Sequence, residues 1–115
     1  MIDYDGRRFR SVRNSAGGDV SGDTVFEYRQ AGAVVWATYS GGGVLLGTLL
    51  ARVADDGSLD MRYQHLAPDG QFRAGRCESR PERLPDGRLR LHERWRWTDG
   101  ADGTGTSVVE EVAAG

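Results

Sequence analysis

The ten residues Arg88–Trp97, RLRLHERWRW, constrain the fold of this chain more than any other stretch. Arg88, Arg90, His92, Arg94 and Arg96 alternate without a slip with Leu89, Leu91, Glu93, Trp95 and Trp97. A side-chain period of two marks a β-strand with one wet face and one buried face. On the buried face a single carboxylate, Glu93, stands between leucines and indoles.

The rest of the chain reads as the sheet this strand completes. Asp5-Gly6, Gly17-Gly18, Gly22-Asp23, Gly41–Gly43, Asp56-Gly57, Asp69-Gly70, Asp86-Gly87 and Asp99-Gly100 punctuate it at short intervals. Such pairs supply the positive φ values of tight hairpins. Between them lie eight segments of strand character: Arg7–Arg13, Thr24–Gln30, Val34–Tyr39, Gly43–Val53, Leu59–Leu66, Phe72–Arg80, Arg88–Trp97 and Gly105–Val112. Alternation pairs Phe26 with Tyr28, groups Leu59, Met61, Tyr63 and His65, and places Glu110 between Val108 and Val112. Val35, Trp36 and Tyr39 are good strand formers, and Gly47 permits a bend or bulge. No window of twelve or more residues carries a capped 3.6-residue period. The longest late connections are Arg80–Gly87 and Thr98–Thr104.

With 17 glycines and 38% apolar residues in 115, short strands and tight turns are favoured over helices. Eight consecutive antiparallel strands leave two sticky edges unless the sheet closes. The expected fold is a single-domain, all-β, eight-stranded antiparallel up-and-down β-barrel of lipocalin-like kind, just wide enough for side chains or one small ligand. A two-sheet β-sandwich is the alternative.

Charge and residue usage narrow the chemistry. All 15 basic residues are arginine, so no Schiff-base or phosphate-loop lysine exists, and the formal charge is −2. Ser40-Gly41-Gly42-Gly43 therefore reads as a hairpin. The stripe Arg88, Arg90, Arg94 and Arg96, with Arg62, Arg73 and Arg76, reads as a solvated face offset by Asp60, Glu78 and Glu111, with no nucleic-acid partner. Val44–Val53 is too short to span a bilayer, and no charged-then-apolar leader precedes Tyr4, so a cytoplasmic protein without a membrane partner is expected. Cys77 is alone, which rules out an internal disulfide, and it reads as a core or wall residue. His65, His92 and Cys77 lack ligand-pair spacing, so no metal and no cofactor are expected.

The segments YDGRRFRSV (Tyr4–Val12), VVWATYSGG (Val34–Gly42), LDMRYQH (Leu59–His65), LPDGRLRLHERWRWT (Leu84–Thr98) and the Ser107–Val112 ending span nearly the whole chain. In this order and spacing they resemble a family of short bacterial proteins that carry the name N-acetylglutamate synthase. The resemblance implies acetyl transfer from acetyl-CoA. That chemistry seats a pyrophosphate on a Gly-rich loop opening a helix. No Gln/Arg-x-x-Gly-x-Gly/Ala loop is present, so no residue role transfers.

A carboxylate enclosed by apolar side chains must be paired, hydrogen-bonded or protonated. Three readings of Glu93 and its neighbours follow. The favoured one is a small-molecule-binding barrel in which Trp36, Tyr63, His65, Glu93 and Trp95 give stacking surface and polar recognition. The second is an enzyme using Glu93 and His65 as acid and base, or the acetyltransferase of the family name. The third is a structural or interaction module, with a homodimer formed through an exposed sheet face.

Overall fold

A computed structural model describes residues 2–15, 17–100 and 103–113. Eight strands run through them: β1 (Arg8–Asn14), β2 (Val25–Ala31), β3 (Val34–Gly41), β4 (Val44–Val53), β5 (Leu59–Leu66), β6 (Phe72–Arg83), β7 (Leu89–Trp97) and β8 (Thr104–Glu111). Each pairs antiparallel with the next, and β8 returns to β1, so the sheet closes into an up-and-down barrel. This is the expected architecture; the sandwich is excluded, because closure leaves no second sheet and no free edge. Ala101 and Asp102 of the Thr98–Thr104 connection lie outside the described residues.

Three hairpins share one turn. Ala54–Ser58, Ala67–Gln71 and Leu84–Arg88 each carry Asp-Gly at their third and fourth positions. The aspartates Asp56, Asp69 and Asp86 accept the backbone N–H two residues on. Gly57, Gly70 and Gly87 adopt φ of 86°, 88° and 90°, which side chains resist.

β6 runs three residues beyond the expected Arg80, through Pro81. The bond from the Leu84 N–H to the Arg88 carbonyl sets the β6–β7 alternation. It turns the Pro81 nitrogen away from β7, toward the side where β5 has already ended at its Leu59–Ser79 pair. No ladder bond is lost there, so proline is tolerated.

Burial follows alternation, interrupted by two bulges. One, at Val12, shifts the β1–β8 register between Ser11 and Arg13. The other shifts the β3–β4 register beyond Tyr39 and leaves both Leu45 and Leu46 outside. Glu110 corrects the sequence expectation: Ser107 and Val109 face inward, and Glu110 meets Arg90 on the outside at 3.2 Å. Val108 and Val112 gave the Glu110 face two apolar residues against Val109 alone on the other, so alternation pointed to the wrong face.

One end of the barrel is packed solid. Phe9, Tyr28, Val35, Leu89, Leu91 and Val109 are buried there, and Tyr4, ahead of β1, tucks beneath them. Its phenol donates to the Gly57 carbonyl at 2.6 Å, joining this segment to the β4–β5 turn. The polar and aromatic residues of interest lie toward the opposite end.

Candidate functional site

At that end residues 17–24 of the β1–β2 connection cross the barrel mouth. The indole N–H of Trp97 donates to the Gly17 carbonyl at 3.3 Å, and the Thr24 hydroxyl donates to the Gly41 carbonyl at 2.9 Å. Asp19 Oδ2 lies 2.9 Å from His65 Nε2 and 3.6 Å from an Arg73 guanidinium nitrogen. Gly18 passes the Trp95 ring so closely that a Cβ there would sit 3.2 Å from it.

Under this cover lies a cavity of about 60 Å³, walled by Phe26, Tyr39, Tyr63, Trp95 and Trp97. Three of these rings lie against glycines on the neighbouring strand. In register, Tyr39 faces Gly47, Tyr63 faces Gly75 and Trp95 faces Gly105. A Cβ on any of the three glycines would fall far inside van der Waals contact with the facing ring. The missing side chains let the rings recline on the wall, and the space kept free of them is the cavity.

Its polar groups form two clusters. In the first, His65 is 3% exposed and is held from both ring nitrogens, Nδ1 to the Tyr39 phenol at 3.0 Å and Nε2 to Asp19. A carboxylate facing Nε2 requires a proton on that nitrogen. In the neutral ring Nδ1 is then the acceptor and the Tyr39 hydroxyl the donor. Burial pushes the Tyr39 and Tyr63 phenols well above their ordinary range, so both remain O–H donors.

The second cluster is centred on Glu93. In the ladder it stands between Ser79 of β6 and Ser107 of β8. The Ser107 hydroxyl donates to it at 2.9 Å and is its hydrogen-bond partner among the described residues. The surface that Glu93 retains belongs to the cavity wall. Desolvation drives its carboxyl up to about 7, with the Ser107 bond opposing only in part. The Ser79 hydroxyl is fully buried and has no partner among the described residues.

Of the five residues expected in a binding site, Tyr63, His65, Glu93 and Trp95 come together around this cavity. Trp36 does not: it is 40% exposed on the outer face, because Val35, Ala37 and Tyr39 take the inward positions of β3. Trp36 and Tyr39 have opposite parity and could never share a face. The apolar Val35-Ala37-Tyr39 set against Trp36-Thr38-Ser40 was the signal for the right choice.

Other contributors escaped the sequence reading. Asn14 reaches the cavity because the Val12 bulge reverses its facing and pairs it with Ser107. Asp19 arrives from a connection that read only as turns. Cys77 is in the wall, and burial holds its thiol protonated, which disfavours nucleophilic use. His92 lies outside, bonded to Glu82 at 2.8 Å. Among the described residues no three His, Cys, Asp or Glu side chains gather so as to hold a metal ion. In the arginine stripe Arg88 meets Asp86 and Arg90 meets Glu110, as a partly compensated outer face.

A closed antiparallel barrel with one plugged end and an aromatic-walled cavity toward the other belongs to the calycin-like class of β-barrels. Within that class the chain belongs to the family described as avidin-like proteins, whose model matches residues 2–112. Searches of curated proteins and of solved structures returned no match. The acetyltransferase name finds no support, since the described residues include no helix on which a pyrophosphate could be seated.

Proposed function

We propose that this protein binds a small organic molecule in the cavity beneath residues 17–24, and that Tyr63, His65, Glu93 and Trp95 contact it together with Tyr39 and Trp97. The observation that carries the reading is an aromatic-walled space that contains a carboxyl group without a charged partner. A core built only for stability would gain nothing from that arrangement, because an apolar residue of similar volume avoids the desolvation cost. Avidin-like barrels hold small ligands such as biotin, which supports the same reading. A cavity of about 60 Å³ suits a group of few heavy atoms, or the head of a longer ligand whose tail passes the cover.

A panel of fragments of up to about ten heavy atoms, with biotin included, tests the proposal by thermal shift and calorimetry. Stacking on an indole contributes on the order of 1 kcal/mol. Trp95→Ala is therefore expected to weaken a hit by about five-fold, while Trp36→Ala leaves it unchanged. A hit equally insensitive to both substitutions would place its site elsewhere.

For the homodimer we propose the outer face of β3 to β6. Trp36 pairs with Leu50 across β3 and β4, and Leu46, Leu66 and Phe72 form a cross-strand row beside them. Phe72 is 80% exposed and Leu50 60%. Light scattering at rising concentration is expected to give a dimer that Leu50→Arg returns to monomer. A wild-type monomer at high concentration would end that part of the proposal.

A further inference from the structure

The character of the cavity indicates what it accepts. Arginine, the only basic residue type besides histidine in this chain, contributes no side chain to the wall. The ionisable carboxyls there are Asp19 and Glu93. Asp19 is already committed to His65 and Arg73. Among the described residues Glu93 has one serine hydroxyl and no cation, and the buried hydroxyl of Ser79, across the ladder from it, has no partner. Hydrogen-bonding capacity beside Glu93 is thus left unused, where a bound donor could meet it. An anionic group would meet repulsion from the carboxylates and find no guanidinium, and His65 already has both ring nitrogens bonded.

The same end of the barrel displays a cation on an aromatic face. The Arg73 guanidinium carbon sits 3.8 Å from the centroid of Trp97, on the outer side of the mouth. Tryptophan and tyrosine rings attract cations through the negative potential of their faces, more strongly where water is excluded. Inside, Trp95 and Tyr63 line the same cavity as a carboxylate that has no cationic partner among the described residues, whereas the Tyr39 ring is covered by Phe26 and Gly47. A buried ion pair of this kind is favourable only when the remaining donors and acceptors are satisfied. The Ser107 hydroxyl satisfies one acceptor site of Glu93, and the acceptor capacity that remains is open to donors of the ligand.

We infer that the cavity recognises a small organic nitrogen cation, a guanidinium, amidinium or alkylammonium group, with Glu93 as counter-ion and the rings of Tyr63 and Trp95 beside it. This rests on the proposed binding function and specifies its ligand class. His65 serves the site from the side: fixed between Tyr39 and Asp19, it holds the Tyr39 ring in place. The cavity volume limits the charged head to a few heavy atoms, and any larger portion must face residues 17–24.

The test compares three probes of similar size and different charge, methylguanidinium, methylurea and acetate, titrated at pH 8 and read by tryptophan fluorescence. Methylguanidinium is expected to bind best, and Glu93→Gln to weaken it by about ten-fold or more, the scale of a hydrogen bond to a charged group. Glu93→Asp, which keeps the charge, is expected to retain the preference for the cation. Methylurea binding as well as methylguanidinium, acetate binding best, or cation affinity unchanged in Glu93→Gln would each overturn the inference. If neutral fragments bind in a Trp95-dependent manner and cations do not, the cation assignment falls and the binding function stands. If nothing binds inside, both fall.

Discussion

Replacing Glu93 by glutamine is expected to stabilise the protein above neutral pH and to flatten its stability between pH 5 and 8. The carboxyl is about 7 in the folded protein against an ordinary 4.5, because burial penalises its charged form. A carboxyl raised in this way favours the folded state fully below its unfolded value. Between 4.5 and 7 the unfolded chain has released the proton and the folded one has not, so stability falls as pH rises. Above 7 both are ionised and the loss is complete. At about 1.4 kcal/mol per pH unit, the total is on the order of 3 kcal/mol.

Glutamine keeps the shape and the acceptor for Ser107 but has no charge to desolvate. Urea unfolding of both proteins from pH 5 to 8 reads the effect, and pH dependences common to the two cancel in the difference. The exposed carboxylates Asp56, Asp60, Glu82 and Asp86 have the opposite sign, being lowered by hydrogen bonds to Ser58, Arg62, His92 and Arg88 respectively. Their contribution is lost as pH falls through their depressed values, outside this window. Parallel stability curves for the two proteins would show that Glu93 is not desolvated.

The second large effect is expected from Gly47→Ala. The new methyl must displace the ring of Tyr39, which lies on the glycine and bonds His65. Overpacking of this kind costs about 1–3 kcal/mol. Here it also fills the cavity, so stability and binding should fall together. Removing the ring first separates the two causes. In a Tyr39→Ala background the further Gly47→Ala change should cost clearly less than in the wild type, a coupling that a double-mutant cycle measures. Additive costs would mean that the ring and the glycine do not share that space. Gly75→Ala and Gly105→Ala act in the same way through Tyr63 and Trp95.

The barrel was legible because its determinants are local. Ten alternating residues in β7 and the Asp-Gly turns repeat at hairpin spacing, and closure follows from the cost of open edges. Glu93 and Trp95 were legible for the same reason, as was His65 beside Tyr63. What alternation could not supply was facing where valines stand on both parities, as in β8; in β3 the Val35-Ala37-Tyr39 set carried the facing, and the choice of Trp36 went against it. Nor could it supply the effect of an extra residue. The Val12 bulge, invisible in composition, turns Asn14 toward the barrel mouth. The position of Asp19 against His65 depends on the path of a glycine-rich connection, set by tertiary contacts with Trp95, Trp97 and Thr24 rather than by local pattern. The glycine–ring pairs are also nonlocal: each needs the register of two strands before the fit appears.

The central claim, a ligand inside the barrel, is tested most directly by the three tryptophan indole N–H signals in a ¹H–¹⁵N spectrum. Trp95 and Trp97 wall the cavity, and Trp36 lies on the outer face. On titration with methylguanidinium, or with the best fragment, the Trp95 and Trp97 signals are expected to move together and saturate while Trp36 stays fixed. Saturating movement of Trp36 alone, or no movement of the two interior indoles with any probe, would contradict a ligand site within the barrel.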